Sequence, residues 1–287
     1  MPNNARTVFE QISSNYYALT SSEKKVADFT LSNQSGTQFM SISELADACG
    51  VAEATISRFC RRLGYKGYNA FKLALANSSP KHKLLDNPLS GEVTAEDSLE
   101  DICKKLYTAE VEAMAQTMEF LDLDSVAQAS RMLHSARRVM CMGQGGSLLI
   151  ANEAAHLFST VSNKFTAVAD SHLQAIAATT MDPEDVILFF SYSGSTQEMM
   201  ETLKLARAQQ GQVILGTRFP RSPGAELSNV VLQCGANENA LQSGSVAARI
   251  AQMYLLDILF SEFSRKDLEQ CLQIRGRIAD ALAHRHV

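Results

Sequence analysis

Apolar residues follow two different patterns along the chain, one before residue 77 and another after residue 138. In the first segment they recur every three or four positions, as in Val8, Phe9 and Ile12, and this spacing predicts amphipathic helices. After residue 138, short apolar runs alternate with helical patterns, which is typical of strands buried on both faces of a parallel sheet. The sequence therefore predicts an all-α N-terminal domain joined to an α/β C-terminal domain.

A pair of short helices is predicted between residues 41 and 64. Ser41 and Glu44 have the spacing of a capping box, and Gly50 is a good helix terminator. A second helix starts directly afterwards, so a glycine turn joins the two helices, as in a helix-turn-helix. The predicted buried stripe of the second helix consists of Ile56, Phe59, Cys60 and Leu63.

The other face of this second helix is predicted to be polar and basic. Short polar and arginine side chains are the types that reach bases and phosphates in DNA. The predicted DNA contacts are Thr55, Ser57, Arg58, Arg61, Arg62 and, just after the helix, Lys66. An ordinary helical hairpin with a solvated basic face is the alternative interpretation. Residues 1–80 hold eight Lys and Arg against six Asp and Glu, whereas the remainder holds 18 against 25, so only the first segment is expected to approach a polyanion.

Residues 78–97 carry two prolines and mixed charge without sustained periodicity, and this composition is typical of a linker. The predicted organisation is a helix-turn-helix domain at 1–77, a linker at 78–97 and a second domain at 98–287. Residues 98–136 are predicted to form two amphipathic helices, the second capped by Asp122 or Asp124. Two long helices are predicted to close the chain, and their apolar residues, including Leu256 and Phe260, suit either the core or a subunit interface.

Five strands are predicted in the second domain, at 139–142, 165–169, 186–190, 212–217 and 230–234. The first ends in Gly143-x-Gly145-Gly146-Ser147, and the third ends in the hydroxyl-rich turn Ser191–Thr196. Parallel sheets bind ligands at the carboxyl ends of their strands, and uncharged hydroxyls beside free helix N–H groups suit a phosphate monoester. Plain helix capping is one alternative. A nicotinamide dinucleotide site is another, although the first turn lacks the last glycine of G-x-G-x-x-G.

The composition is that of a soluble globular protein, with 46% hydrophobic and 20% charged residues and a net charge of −5 over 287 residues. No uncharged apolar run is long enough to span a membrane, so we expect no membrane association. The six cysteines are scattered, without a C-x-x-C pair or a cluster with histidine. We therefore expect no metal, no disulfide, no cofactor and a cytoplasmic location.

Two known modules are similar to these motifs. The turn Ser191-Tyr192-Ser193-Gly194-Ser195-Thr196 after a buried strand, with the first glycine turn, resembles the SIS domain, the sugar-phosphate-binding fold of sugar isomerases. Residues 41–76, above all 55–67, resemble the DNA-binding half of the RpiR family of bacterial transcription regulators, which joins the two modules in this order. The resemblance covers nearly the whole chain and implies a flavodoxin-like, three-layer C-terminal domain.

The resemblance implies a cytoplasmic regulator of sugar or amino-sugar genes, usually a repressor. Its affinity for a double-stranded DNA operator would change when a phosphosugar binds. The phosphosugar contacts would be Gly145, Gly146, Ser147, Ser191, Ser193, Ser195 and Thr196 on the two turns, with His172 and Glu238 elsewhere on the rim. A homodimer or homotetramer is expected, because a single helix-turn-helix touches too few base pairs.

Two points qualify this expectation. Ala52 stands where these regulators commonly have a serine N-cap, so the second helix of the pair is expected to fray more when it is free of DNA. A sugar-phosphate isomerase or lyase with an accessory DNA-binding domain is the competing interpretation. Its acid–base candidates would be Glu238 and His172, whereas the regulator has no catalytic residue.

Overall fold

The computed structural model describes residues 8–34, 36–78, 93–94, 96–236 and 246–283. The chain divides into two compact units, one of residues 1–106 with 237–245 and the other of 107–236 with 246–287. Most of the predicted linker, 78–97, lies outside the described residues. The domain boundaries therefore stay a prediction, although the unit boundary falls inside a long helix that starts at Leu99.

The first unit contains five α-helices before residue 79 within its described part: α1 Val8–Asn15, α2 Ser21–Ser32, α3 Ile42–Cys49, α4 Glu53–Arg62 and α5 Tyr68–Ser78. Thr20 and Ser41 each complete a capping box, with Glu23 and Glu44 respectively, so the helix start predicted at Ser41 is confirmed. Gly50 ends α3 at a φ of 60°, a left-handed conformation that a residue with a Cβ adopts only at a cost. This glycine turn joins α3 to α4.

The core of the first unit confirms the predicted stripe of α4. Ile56, Phe59 and Cys60 have no exposed surface. Phe71 of α5, a helix that was not predicted, packs edge to face on Phe59 with ring centroids 5.6 Å apart. Because this stripe is buried among the other helices, the opposite face of α4 turns outward from the unit.

The second unit is a parallel α/β domain. Helices α6 Leu99–Phe120 and α7 Leu123–Ser135 precede five strands: β1 Val139–Gly143, β2 Phe165–Ala167, β3 Val186–Phe190, β4 Gln212–Thr217 and β5 Val230–Gln233. All neighbouring strands pair in parallel in the order β2-β1-β3-β4-β5, which is the flavodoxin-like order that was expected. The remaining helices are α8 Gly146–Ser159, α9 Ser171–Thr179, α10 Gln197–Ala208, α11 Pro223–Glu226, α12 Val246–Lys266 and α13 Leu268–Ala283.

Helices cover both faces of the sheet, which makes the three predicted layers. Along β3, Leu188 and Phe190 face a cluster with α7, α8 and α12, whereas Ile187 and Phe189 face a cluster with α10. The sequence did not decide whether the apolar residues of α12 lie in the core or at a subunit interface. Leu256 is in fact fully buried and Phe260 nearly so, hence the apolar stripe of α12 is mostly core. None of the helices described here is long and apolar enough to cross a membrane.

Candidate functional site

The two predicted turns start side by side at one edge of the sheet. Strands β1 and β3 are neighbours, and the last residue of each, Gly143 and Phe190, are register partners. The turns that follow therefore lie on the carboxyl rim of the sheet, as predicted. This is the edge at which parallel sheets bind ligands.

The hydroxyls after β3 shape their own turn. Ser191 is buried, and its Oγ accepts a hydrogen bond from the Gly194 N–H at 3.2 Å. The Oγ of Ser193 accepts one from the N–H of Ser195 at 3.3 Å. Thr196 occupies the N-cap position of α10, but its side chain makes no cap hydrogen bond. The first-turn N–H groups of α10 are consequently not capped by this threonine, and they are available to an anion.

Contacts from β4 and α11 hold the turn from behind. The Tyr192 carbonyl accepts hydrogen bonds from Thr217 Oγ1 and from the Arg218 N–H, both at 3.1 Å. Gly224 donates its N–H to the Gly194 carbonyl at 2.9 Å. Gly194 has a φ of 58°, and a Cβ there would overlap the side chain of Ser222. The turn is thus fixed in shape before any ligand arrives, which lowers the entropy cost of binding.

The turn after β1 has the opposite surroundings. Gly145 is the N-cap of α8 with a φ of 52° and a ψ of −127°, and no side chain caps the helix. A Cβ at Gly145 would meet nothing within 4 Å, so this turn faces open space. Gly146 and Ser147 follow as the first residues of α8, and both are half-buried. The two helices that start on these turns therefore both lack a side-chain cap.

Other helices of the same unit are capped. Asp122 accepts a hydrogen bond from Asp124 N–H at the start of α7, as predicted, and Asp170 accepts one from Leu173 N–H at the start of α9. Helices α8 and α10 lack such a cap, as does the four-residue helix α11 that follows β4. The helix-start dipoles of α8 and α10 are left for another anion.

Two buried glutamines near the rim were not predicted. Gln174 has no exposed surface; its Nε2 donates to the carbonyls of Gly143 and Val168, and its Oε1 accepts from Gln144 Nε2 at 3.0 Å. It thereby holds the first turn on the sheet. Gln252 of α12 is 1% exposed, and both atoms of its amide lie 3.5 Å from Ser147 Oγ. The available sequence signal was a polar residue within an apolar helical stripe.

The remaining predicted contacts are divided. His172 is exposed on the first turn of α9, which follows β2 on the same rim, and Ser195 is also exposed. Glu238 lies outside the described residues. Immediately before that segment, the carbonyl of Ala236 accepts hydrogen bonds from Tyr192 Oη and Arg218 Nε, both at 3.1 Å. The turn after β3 is in this way linked to the chain that leaves β5.

The predicted DNA-binding face of α4 needs one correction. Thr55 is buried, and its Oγ1 accepts a hydrogen bond from Arg58 Nη2 at 3.1 Å, so its placement on the outer polar face is wrong. The reason is that the buried stripe of α4 begins one residue earlier than predicted, at Thr55, whereas Leu63 follows the helix and is half-buried. Arg58, Arg61 and Lys66 are exposed and Ser57 is half-buried. These four side chains remain candidates for contacts with DNA.

Arg62 is exposed but is bound within its own unit. Its Nε donates to Glu23 Oε1 at 3.1 Å, and its Nη1 donates to the Ala18 carbonyl. Burial raises the pKa of Glu23, but hydrogen bonds from Thr20 and the charge of Arg62 outweigh it and hold that pKa below its usual value. The first role of Arg62 is therefore to pair with a buried carboxylate.

At the opposite edge of the sheet, charge is buried and fully paired. The Asp185 side chain has no exposed surface; it accepts hydrogen bonds from Arg137 Nε at 3.1 Å and from Arg138 Nε at 2.9 Å. Arg137 Nη2 and the Asp182 N–H each add a further bond, both at 2.9 Å. Burial raises the pKa of Asp185, yet these donors together keep it below its usual value. Among the described residues, no group of three or more His, Cys, Asp or Glu side chains could hold a metal.

These features define a class of protein: a helix-turn-helix unit followed by a five-stranded parallel α/β unit with uncapped helices at its carboxyl rim. Family comparisons agree with both parts. A family described as "Helix-turn-helix domain, rpiR family" matches residues 6–82, and the SIS domain matches residues 132–262.

Individual relatives extend the match to the whole chain. An HTH-type transcriptional regulator of Caldanaerobacter subterraneus subsp. tengcongensis is 30% identical over 280 residues, which cover 98% of this chain and 97% of that protein. One from Haemophilus influenzae is 30% identical over 281 residues, with 98% of both covered. The structure of Vibrio vulnificus NanR complexed with ManNAc-6P is similar with a TM-score of 0.85 and 27% identity, covering 96% of this chain and 98% of that one. The chain belongs to the RpiR family of helix-turn-helix transcriptional regulators with a C-terminal SIS domain, as its motifs indicated.

Proposed function

We propose that this protein is a cytoplasmic transcription regulator whose affinity for its operator depends on a phosphosugar bound at the rim of the SIS domain. The observation that carries the proposal is the pair of uncapped helix starts, α8 and α10, on adjacent turns. Uncapped N–H groups and hydroxyls bind an anion without a fixed positive charge, so the ligand is released readily when its concentration falls.

The phosphate of the ligand would bind at the turn after β3. Its contacts would be the hydroxyls of Ser191, Ser193, Ser195 and Thr196 and the first N–H groups of α10. The sugar would then extend over Gly145, Gly146 and Ser147 on the neighbouring turn. The similar protein NanR forms a complex with ManNAc-6P, a sugar phosphate, and this supports the same ligand class here. His172 and Glu238 are proposed as further contacts with sugar hydroxyls.

DNA would be bound by the outer face of α4, through Ser57, Arg58, Arg61 and the nearby Lys66. Two copies of α4 are needed to read paired half-sites about 34 Å apart, so we propose a homodimer or homotetramer. The protein would repress sugar or amino-sugar genes. The phosphosugar would act only through its difference in affinity between the DNA-bound and the free form.

The test compares the wild-type protein with a double variant that carries both Ser193→Ala and Thr196→Val. DNA affinity would be measured by fluorescence anisotropy, on a duplex selected from a random library, with and without ManNAc-6P and a panel of hexose and amino-sugar phosphates. We expect one of these ligands to change wild-type affinity at least about tenfold. The double variant should bind DNA normally and lose the response.

A matched control is a double variant that removes one serine and one threonine hydroxyl outside the rim. Ser135→Ala with Thr179→Val changes exposed hydroxyls that, among the described residues, donate to carbonyls of their own helices, and it should respond as wild type. A normal response of the Ser193/Thr196 variant would place the phosphate elsewhere. Conversion of any phosphosugar to product by the purified protein would favour the isomerase or lyase alternative.

A further inference from the structure

Gln252 interrupts an apolar stripe. Along α12, Ala248, Ala251, Leu255, Leu256, Leu259, Phe260 and Phe263 are buried in the core of the second unit. Gln252 falls at the same helical spacing and is equally buried. A leucine or methionine at this position would continue the stripe. A polar residue that breaks a local packing rule without a structural gain points to a functional role.

The amide of Gln252 is poorly satisfied where it stands. Among the described residues its side-chain hydrogen bonds reach only Ser147 Oγ, and both contacts are 3.5 Å long, the outer limit for a hydrogen bond. Gln174, a buried glutamine near the same rim, differs sharply, because it makes three bonds of 2.8 to 3.2 Å. A buried amide normally has its partners. Gln252 therefore has donor and acceptor capacity left for a ligand.

The Gln252 amide lies beside the turn over which the sugar part of the ligand is proposed to extend. Ser147 lies on the first turn of α8, beside the open space at Gly145. A phosphate monoester presents mostly acceptors, whereas sugar hydroxyls and acetamido groups both donate and accept. A primary amide has two donors and one acceptor, which matches the second kind of group.

We propose that Gln252, acting together with Ser147, recognises the sugar part of the ligand and so determines which phosphosugar is bound. This inference rests on the proposed function, since it presupposes that a phosphosugar binds at the rim. It adds the residue pair that distinguishes a phosphosugar from phosphate alone. Binding would shorten the hydrogen bonds of Gln252, because the ligand supplies partners that the fold leaves out.

The experiment measures, by isothermal titration calorimetry on the full chain, the affinities for ManNAc-6P, glucose 6-phosphate and inorganic phosphate. Gln252→Met keeps the length of the side chain and removes the amide. We expect the ratio of phosphosugar to phosphate affinity to fall at least about tenfold, with phosphate affinity unchanged. Because a poorly satisfied amide is replaced by an apolar group, we also expect Tm to stay the same or rise.

The matched control is Gln174→Met, which removes a satisfied amide and should lower Tm. A fall in Tm for Gln252→Met with an unchanged affinity ratio would show a structural role and overturn the inference; Gln252→Leu checks that result against misfit of the methionine. If wild type binds no phosphosugar more tightly than phosphate, the proposed function fails as well. If wild type has the preference and both Gln252 variants keep it, this inference alone is wrong.

Discussion

The two edges of the parallel sheet differ in how completely their polar groups are hydrogen-bonded. At the amino edge, Asp185 is buried and its carboxylate is paired with two arginines and a backbone N–H. At the carboxyl rim, the helices after β1 and β3 start without side-chain caps, and Gln252 lacks close partners among the described residues. A buried group whose hydrogen bonds are complete stabilises the fold, and a group whose bonds are incomplete is available for a ligand.

The first unit shows the same distinction between two adjacent arginines. Arg62 bonds to Glu23, whereas Arg61 is exposed and forms no ion pair with any described residue. Both are identical in type and lie on the same helix. For these two arginines, pairing with Glu23 rather than residue type therefore separates a structural role from a proposed DNA contact.

The largest expected effect is at the amino edge. Asp185→Ala leaves Arg137 and Arg138 without their shared carboxylate and opens a cavity at the start of β3. We expect the free energy of unfolding to fall by about 3 kcal/mol, because the Asp182 N–H and two arginines lose a buried partner, while the partly exposed arginines regain water. Urea denaturation measures it. Phosphosugar affinity of the folded fraction should be unchanged, and a loss of binding without a loss of stability would contradict the division between the edges.

The ion pairs of Asp185 with Arg137 and Arg138 also predict how the stability of the protein depends on pH. The pKa of Asp185 is lowered in the folded state, so its contribution is complete above its ordinary value of 3.8 and is lost as the pH falls through the lower folded value. The difference in stability between wild type and Asp185→Asn should therefore be constant above about pH 5 and shrink below about pH 4. Denaturation midpoints between pH 3 and pH 7 would show it. A gap that persists undiminished at pH 3 would contradict the assignment.

The second effect concerns the turn after β3. Gly194→Ala places a Cβ at a positive φ and against the Ser222 side chain. We therefore expect the free energy of unfolding to fall by about 2 kcal/mol and phosphosugar binding to be lost. Thermal unfolding and calorimetry measure the two losses. Gly276→Ala in α13 is the control: a Cβ there meets nothing within 4 Å, and stability should rise by under about 1 kcal/mol. Wild-type binding by Gly194→Ala would remove this turn from the site.

Substitutions of the two adjacent arginines are expected to have smaller effects, one on DNA binding and the other on stability. Arg61→Ala should weaken DNA binding and reduce the salt dependence of log K by about one phosphate contact, with stability within about 0.5 kcal/mol of wild type. Arg62→Ala should lower stability by about 1 kcal/mol, because Glu23 loses its partner. Anisotropy titrations at several salt concentrations and urea denaturation separate the two. Equal effects of both variants on DNA binding would show that pairing with Glu23 does not distinguish them.

The smallest effect is a gain. Ala52→Ser supplies the side-chain cap that α4 lacks and should stabilise the protein by about 1 kcal/mol or less. Thermal unfolding measures it, with Ala54→Ser inside the same helix as the control. A stabilised variant with weaker DNA binding would indicate that the open start of α4 itself contacts phosphate.

The sequence by itself determined the elements that local interactions define. The capping boxes at Thr20 and Ser41 join residues three positions apart, and the strand runs and turns on the rim follow from short patterns. These interactions form within one turn of chain, so they are visible without a fold. The helices of the helix-turn-helix and the strand and turn segments of the second unit were correctly predicted for this reason, and the alternation of strands with helices predicted the parallel sheet.

Only the tertiary structure decided which polar groups are satisfied. Arg62 meets Glu23 across 39 residues of sequence, and Gln252 meets Ser147 across 105. The burial of Thr55 likewise depends on how α4 packs among the other helices. Such contacts depend on how whole elements pack, and residue type or spacing does not encode them locally. Whether a side chain has its hydrogen-bond partners, the observation on which the proposals for Arg61 and Gln252 rest, is therefore a property of the fold.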